Sequence, residues 1–521
     1  MSVETMIEEQ LSEVPKRTSF LDYVIRGSGG KQKCTRRYIG LLAAWVLFSA
    51  IRWGLPAYSH GFTAAGRATL AVVVWASILW VTEAVPSGVT GITIPAMLLV
   101  SGALHGVANA LAGFTQQAVF LALSAFIFAA VMRLSGLDKK LALFILRKLR
   151  VRTVTGASVA MYLTNCVLAL IVPGAVSRSA ALLPVVRGME EFLDSSATSK
   201  RAMKGLVIQG LVYAPMISGL LLLTSGLPNL IITSIIGKDT GVSIGYGMWA
   251  EMNWVYLLMF IPTMLWMAWM FKTGKARFDL QALVSTDKVV TGSDGDTRTN
   301  RQGRSVNYQQ TIIVVIFAAV AVGWAVIHSI KPGFVGLFGV FLLMLPGLIP
   351  YSWKEVLENT MWNAFLLLGG ALSMTLAMSS SGLGKFLASQ FAPLVAGQKW
   401  YVILIAIMVA TEVLRLGMLS NVAAIALIAP ILVPLGAKLG VNPIAFTLLV
   451  ANIDTFAYVL PTQISAAVIA YGTETFSIRD YAKAGAVSLG IAILFSVVIV
   501  VPWYAIVGFP IWSSAGVHLI R

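Results

Sequence analysis

The chain has 521 residues, of which 58% are hydrophobic and only 12% are charged. An ordinary soluble domain carries about 25% charged residues, so a soluble protein of this size would have too little polar surface to cover itself. The formal net charge of +16 fits either a nucleic-acid partner or the basic cytoplasmic loops of a membrane protein. The composition excludes an ordinary soluble protein and predicts an integral membrane protein with many spans.

Eleven apolar runs approach the length of about 20 residues that a helix needs to cross a bilayer. These runs predict an all-α polytopic membrane protein with about 11 transmembrane helices. In chain order they are Tyr38–Leu55, Ala65–Val85, Ser87–Leu104, Ala118–Leu134, Gly205–Leu223, Met252–Phe271, Thr311–Ile330, Phe334–Pro350, Phe365–Ser380, Ile444–Leu460 and Ala484–Val507.

Two further apolar regions are interrupted near their middle. Pro173 and Gly174 break the first, at residues 154–190, and Gly417 breaks the second, at residues 402–435. Each half is short for a span, and broken backbone at membrane depth must line a cavity enclosed by protein. We therefore predict two re-entrant hairpins, an inner one and an outer one.

Each predicted hairpin is followed by a span with a polar interruption. The first, at residues 205–238, is broken at Thr224–Asn229, and the second, at residues 444–472, is broken at Leu460–Ser465. Proline and small polar residues in mid-membrane free backbone carbonyls for a ligand or an ion. We predict two broken spans with this role, and a simple proline kink is the alternative.

The basic residues sort to one side of this arrangement. They concentrate around residues 1–37, after the fourth span, before the fifth, and in a polar linker at residues 273–308. Cytoplasmic loops carry an excess of Lys and Arg. The N-terminal segment, residues 1–37, and the linker, residues 273–308, are therefore predicted to be cytoplasmic, with the C-terminus outside. This topology, in a bacterial inner (plasma) membrane, explains the +16 charge without nucleic acid and separates two halves, residues 38–272 and 309–521.

A repeat relates the two halves. The sequence that starts at Ser135 resembles the one at Ser381, 246 positions later, and the same spacing carries Gly174 onto Ser420. In the predicted topology the first copy enters the membrane from inside and the second from outside. Such an inverted repeat is typical of transporters that bind their substrate between discontinuous helices near the midplane.

The two hairpin tips and the second broken span form the candidate substrate site. Helix starts at such tips expose backbone N–H groups, which attract carboxylates and other anions; flexible kinks are the plainer alternative. The candidate substrate-binding residues are Gly174, Ala175, Val176, Ser177, Arg178, Ser420, Asn421, Val422, Thr462, Gln463 and Ser465.

Charged residues inside apolar regions are candidates for function. Arg178 has three interpretations: it neutralises a bound dicarboxylate, it stands where a cation would otherwise bind, or it snorkels or pairs with an acidic neighbour. Arg415 follows Glu412 by three residues on one helical face, which predicts a local structural pair. Asp454 fits a relay, a cation ligand or a polar group in helix packing.

The sequence has no pattern typical of an enzyme. We find no phosphate-binding glycine loop, nucleophile elbow or zinc motif, and we expect no cofactor. A channel or a membrane-embedded enzyme is a further alternative to a transporter. Sodium is the candidate coupling ion, and its weak candidate sites lie near Gly174, Gly226, Pro228, Asn229, Ser420 and Asn421.

Short motifs of one known family occur in order from about Tyr38 to Pro510. They are Thr82-Glu83-Ala84-Val85-Pro86, the Ser-Gly-Leu turns at residues 135 and 381, Pro228-Asn229-Leu230, Thr411-Glu412, Ser420-Asn421, Ala429-Pro430-Ile431, Leu460-Pro461 and Ile469-Ala470-Tyr471-Gly472. In this order and spacing the chain resembles the divalent-anion:sodium symporter family, which comprises the sodium:sulfate and the di- and tricarboxylate transporters.

The resemblance implies a homodimer in which the hairpins and broken spans carry a small anion by an elevator-type motion. In the family each tip reads Ser-Asn-Thr, whereas here the first tip reads Gly174-Ala175-Val176 and the second has Val422 for the threonine. The first tip therefore lacks the side-chain oxygens of the family motif and has Arg178 beside it. In both respects the chain resembles the branch of the family that exchanges citrate for succinate or oxoglutarate for malate. We therefore predict transport of succinate, malate or citrate with weak sodium dependence, by anion exchange. A sodium-coupled dicarboxylate or sulfate symporter is the alternative.

Overall fold

The computed structural model describes residues 31–55, 62–149, 153–170, 172–191, 196–276, 306–326, 331–418, 420–456 and 458–512. In these residues the regular secondary structure is helical and no β-strand forms, which confirms the all-α class. The predictions for the N-terminal segment before residue 31 and for most of the polar linker, at 277–305, lie outside the described residues.

The first half is a run of helices with short connections. Shorter π and 3₁₀ turns lie at Ala50–Gly54, Gln209–Tyr213, Leu223–Ser225, Trp254–Met259 and Thr273–Lys275. The helices are α1 (Lys31–Ser49), α2 (Ala64–Thr82), α3 (Ser87–Val100), α4 (Val107–Ala110), α5 (Gln117–Leu134), α6 (Leu137–Lys148), α7 (Val154–Ala169), α8 (Ala175–Glu191), α9 (Ala197–Ile208), α10 (Ala214–Ser218), α11 (Leu227–Thr240), α12 (Tyr246–Asn253) and α13 (Phe260–Phe271).

The second half has the same character. A 3₁₀ turn lies at Pro461–Gln463 and a π turn at Ser496–Val500. The helices are α14 (Val306–Val326), α15 (Pro332–Leu343), α16 (Trp353–Glu358), α17 (Trp362–Ser380), α18 (Leu383–Val395), α19 (Trp400–Arg415), α20 (Asn421–Lys438), α21 (Pro443–Asp454), α22 (Ser465–Tyr471), α23 (Ile478–Phe495) and α24 (Val501–Ile506).

Five consecutive helices in the two halves share one spacing. Helices α7 and α19 begin at residues 154 and 400 and end at 169 and 415, so both ends are 246 positions apart, and α9 and α21 agree in the same way. The starts of α6 and α18 and of α8 and α20, and the ends of α5 and α17, also differ by 246. These boundaries support the repeat seen in the sequence, while its inverted orientation in the membrane stays a prediction.

Among the described residues, seven helices are long and apolar enough to cross a membrane, or eight if α18 and α19, bent by 120° at a short break, count as one span. The sequence predicts eleven. The numbers differ because several apolar runs contain helices of 10–17 residues, among them α3, α15 and α21. Hydropathy marks apolar residues but not the point where the backbone leaves the helix: α15 ends at Leu343 and α21 at Asp454, well inside their runs.

Small residues let the helices cross in close contact. A Cβ atom at Gly370 of α17 would lie 1.9 Å from the carbonyl oxygen of Gly91 in α3. At a second crossing between the two halves, a Cβ atom at Gly336 of α15 would lie 2.2 Å from Ser124 Oγ in α5. Such crossings are common between helices in lipid, where apolar burial gives little driving force and close packing must supply the attraction.

Candidate functional site

A first cavity lies between the breaks in the two predicted hairpins and has a volume of about 540 Å³. We name two further parts of its wall: the first unwound segment, between α10 and α11, and the second unwound segment, between α21 and α22. Of the residues predicted to bind substrate or sodium, the cavity is lined by Gly174, Ala175, Val176, Arg178, Gly226, Pro228, Asn229, Ser420, Asn421, Val422 and Ser465.

Among the described residues, four helices of eight or more residues begin at the first cavity. Helices α3, α8, α11 and α20 start at residues that line it, which are Ser87, Ala175, Leu227 and Asn421. The first N–H groups of a helix lack partners within the helix, and the helix dipole adds about half a positive charge at that end. These helix starts place donors and positive potential at the cavity, which suits a bound anion; the charged residues of its lining are Arg37, Arg178 and Glu83.

Arg178 is fully buried and binds backbone carbonyls. Its guanidinium donates to the carbonyl oxygens of Val172 at 2.8 Å, Pro215 at 2.7 Å and Ser225 at 3.1 Å. Its full burial contradicts snorkelling to the membrane surface, and among the described residues no carboxylate lies within salt-bridge distance of it. Since Val172 precedes α8 and Ser225 belongs to the first unwound segment, one guanidinium ties the first tip to the broken span.

Further backbone contacts fix the first tip. Gly174 has a φ of +83°, a conformation that favours glycine, and its N–H donates to Ser225 O at 3.0 Å. Asn229 Nδ2 donates to two carbonyl oxygens of the first unwound region, at 2.9 and 3.1 Å. The amide of Asn229 therefore stabilises the broken span itself.

The second tip keeps the polar side chains that the first one lacks. Ser420 caps α20, because its hydroxyl accepts from the N–H of Ala423 at 3.3 Å. Asn421 Nδ2 donates to the carbonyl oxygen of Thr455 at 3.1 Å. Thr455 lines the first cavity as well, so Asn421 joins the second tip to the start of the second unwound segment.

A second buried arginine repeats the role of Arg178 at this tip. Arg415 donates to Asn421 Oδ1 and to the carbonyl oxygen of Gln463 at 3.1 Å. Gln463 lies two residues before α22, as Ser225 lies two residues before α11. Two guanidinium groups from different positions in the sequence therefore bind equivalent carbonyls of the two unwound segments.

The acidic partner of Arg415 is Asp454 and not Glu412. Arg415 Nη1 lies 3.5 Å from Asp454 Oδ2, and both side chains are fully buried. The predicted local pair is wrong because α21 packs against α19 and brings in a carboxylate that helical spacing cannot reveal. Glu412 is 4% exposed, and neither of its carboxylate oxygens accepts a hydrogen bond from the described residues.

Three predicted substrate-binding residues do not line the first cavity. Ser177 Oγ contacts the sulfur of Met361 at 3.6 Å, and Thr462 is exposed outside the cavity. Gln463 Oε1 accepts from two N–H groups of its own turn at 3.1 and 2.7 Å. Its oxygen is therefore engaged in forming the turn, which a pattern of polar residues does not show.

Sequence reasoning missed one wall of the first cavity. Ser87, Met361 and Asn363 line it. Asn363 Oδ1 accepts from the N–H of Gly88 at 2.9 Å, and its Nδ2 donates to Ser87 Oγ at 3.0 Å, which joins the starts of α3 and α17. These residues carry no local signal, because only the long-range packing of α3 on α17 brings them to the cavity.

A second cavity, of about 830 Å³, lies on another side of α11 and is lined by Lys238 and Lys331. Its wall on α5 corresponds to the wall of the first cavity on α17. The residues Met361, Asn363, Ala364 and Leu367 line the first cavity. Their counterparts 246 positions earlier line the second cavity: Thr115, Gln117, Ala118 and Leu121.

Known proteins resemble this chain over most of its length. The profile of the sodium:sulfate symporter transmembrane region matches residues 35–509. The chain belongs to this family.

Individual relatives of this family member are distant. A membrane protein from Cupriavidus necator is 26% identical over 469 residues, or 85% of this chain and 88% of its own. The sodium-dependent dicarboxylate transporter SdcS of Staphylococcus aureus (strain MRSA252) is 24% identical over 502 residues, or 91% of this chain and 92% of its own. The crystal structure of the YdaH transporter from Alcanivorax borkumensis matches with a TM-score of 0.52 at 15% identity, over 85% of this chain and 99% of that one, which shows the fold alone.

Family membership confirms the resemblance that the motifs indicate. This symporter-family member is an integral membrane protein that transports small anions and is not an enzyme. The helix starts at the first cavity suit such a cargo.

Proposed function

We propose that the chain carries small organic anions, di- and tricarboxylates such as succinate, malate or citrate, by secondary active transport. The observation that carries this proposal is the meeting of four helix N-termini at the first cavity, because N–H groups and positive potential at helix starts favour carboxylates. The volume of about 540 Å³ lies within the usual range for small-ligand pockets, about 300–1,000 Å³.

We further propose anion exchange with weak or no dependence on sodium. Three carbonyl oxygens converge on Arg178 within 3.1 Å, which supports the interpretation that its guanidinium stands where a cation would otherwise bind. Arg415 donates a hydrogen bond to the equivalent carbonyl oxygen of the second unwound segment, that of Gln463. Unwound carbonyls coordinate the coupling ion in many transporters, and here a fixed positive charge already neutralises them.

The transport step in this proposal is an elevator-type motion. The hairpins and broken spans would move together against the helices that contribute Asn363 and Gln117, and expose the site first at one cavity and then at the other. The matched walls of the two cavities support this motion. The proposal includes a cytoplasmic N-terminus, an external C-terminus, a bacterial inner membrane and a homodimer.

The alternative is a sodium-coupled dicarboxylate or sulfate symporter. The names of the family and of the Staphylococcus relatives favour it, and Ser420 and Asn421 keep oxygens at the second tip that could contribute to a sodium site.

Uptake of labelled succinate or malate into proteoliposomes separates these functions. We expect saturable uptake when the vesicles contain unlabelled anion, with little change when choline replaces sodium. A panel of competing anions, sulfate and citrate included, then identifies the substrate class. Strong sodium dependence without internal anion would refute exchange and support the symporter, and the absence of saturable uptake of any anion would refute the proposed function.

A further inference from the structure

Three buried ionisable side chains meet behind the second tip, and their charges do not balance. Arg415 and Asp454 form an ion pair at 3.5 Å, and Glu412 lies one helical turn before Arg415 with both of these groups as its charged neighbours. The three side chains are 4% exposed or less. With both carboxylates ionised, the cluster carries a net charge of −1; with one proton added, it is neutral.

The hydrogen bonds within the cluster leave room for such a proton. Both oxygens of Glu412 and the Oδ1 atom of Asp454 lack a partner among the described residues. The hydroxyl of Tyr458, a buried neighbour of Glu412, also lacks one. Burial of an ionised carboxylate without a donor is strongly unfavourable, whereas burial of a protonated one is much less so. The geometry therefore favours one proton on the carboxylate pair.

The cluster is connected to the first cavity through one side chain. Arg415 donates to Asn421 Oδ1, and Asn421 lines the cavity. From α21, the helix packed against α19, the charged group that faces Glu412 is Asp454; Tyr458 faces it from the segment that follows, and Arg415 from its own helix. An anion at the second tip attracts the guanidinium and repels both carboxylates, and each effect strengthens binding of a proton.

We propose that the Glu412–Asp454 pair binds one proton together with the transported anion, so that the carried anion and a proton cross the membrane together. This inference rests on the proposed function and adds its coupling ion. Because binding couplings are reciprocal, protonation of the pair also strengthens binding of the anion. The proton binds to and leaves a carboxylate oxygen, and no other bond changes.

The test uses the full-length protein in proteoliposomes that contain a pH-sensitive dye. Potassium with valinomycin clamps the membrane voltage, sodium is absent, and succinate is added outside at a pH where it is fully ionised. The vesicles contain no transported anion, so that any uptake is net and each succinate that enters brings one proton; we expect the wild-type interior to acidify. Glu412→Gln should keep the counterflow of labelled succinate but reduce acidification to the level of protein-free vesicles. Glu251→Gln, which changes an exposed glutamate on α12, is the matched control and should behave as wild type.

The outcomes separate the two proposals. Net succinate uptake without acidification would overturn the coupling inference and leave the proposed function intact. If succinate enters only in exchange for internal anion, proton uptake on succinate binding to the detergent-solubilised protein decides instead, and binding without proton uptake would overturn the inference. Acidification that Glu412→Gln does not change would overturn the role of Glu412. The absence of saturable uptake of any anion would overturn the proposed function and this inference with it. The wild-type dye signal decides the coupling even if the variant does not fold.

Discussion

Replacement of Arg178 by glutamine should create a sodium-binding site at the first tip. Sodium should then stabilise the folded variant. Among the described residues, Arg178 is the donor to the carbonyl oxygen of Val172. The other two carbonyl oxygens each have another donor: Ser225 O accepts from the N–H of Gly174, and Pro215 O accepts from the N–H of Gly219. The substitution therefore leaves one buried acceptor unsatisfied, at a cost of about 1–3 kcal/mol. It also removes the positive charge that neutralises three converging carbonyls.

Sodium would recover that loss by binding to the folded protein. A ligand present at about 100 times its dissociation constant stabilises the folded state by roughly 2.7 kcal/mol, which is comparable to the expected loss. The assay is thermal unfolding of the purified protein in detergent, in sodium and in choline at equal ionic strength. We expect Arg178→Gln to be less stable than wild type in choline and to recover in sodium, while wild type responds to neither salt.

The matched control is Arg201→Gln. Arg201 is exposed, and its guanidinium donates to the single carbonyl of Met270 at 2.6 and 3.1 Å, so its loss should create no cation site. If sodium stabilises wild type as much as Arg178→Gln, or stabilises neither, then Arg178 does not stand in the place of a cation and the account of weak sodium dependence is refuted.

Three further substitutions test the cavity and the scaffold. Gly174→Ala forces an L-residue to a φ of +83°, which costs about 1–2 kcal/mol and should slow succinate counterflow; Gly245→Ala, at a φ of −79° in open space, should not. Ser420→Ala removes a helix cap worth about 1 kcal/mol and should also raise KM, whereas Ser196→Ala, which removes the cap of α9, should lower only thermal stability. Gly370→Ala places a Cβ atom 1.9 Å from backbone and should destabilise the protein by at least about 1–3 kcal/mol. Equal KM values for the two serine variants, or an unchanged melting temperature for Gly370→Ala, would contradict the geometry.

Local patterns in the sequence predict the breaks at the two hairpin tips, although they do not show where α15 and α21 end. The match of Ser135 with Ser381 sets the spacing of 246 that the helix boundaries keep, and Gly174 and Ser420 both lie directly before a helix start. These features depend on neighbouring residues: a positive φ favours glycine, and a polar side chain such as that of Ser420 caps a helix start.

Contacts between distant segments were not predictable in this way. Arg178 reaches Pro215 and Ser225, and Arg415 reaches Asp454, through the packing of helices that are tens of residues apart. The same reason explains why helical spacing predicts a local Glu412–Arg415 pair, whereas the acidic partner of Arg415 is Asp454. A single sequence carries helix periodicity, but it does not state which helix lies against which.

The central claim is that an anion binds at the first cavity and is carried from there, and Asn421→Asp tests it most directly. The change is nearly isosteric but adds a carboxylate to a residue that lines the cavity. Two like charges about 4 Å apart repel by about 1–4 kcal/mol, depending on the local dielectric. In saturable counterflow of labelled succinate, we predict a KM at least about fivefold higher than in wild type, and no change for Asn359→Asp, an exposed asparagine after α16. Equal KM values for wild type and Asn421→Asp, with both proteins folded, would contradict the claim.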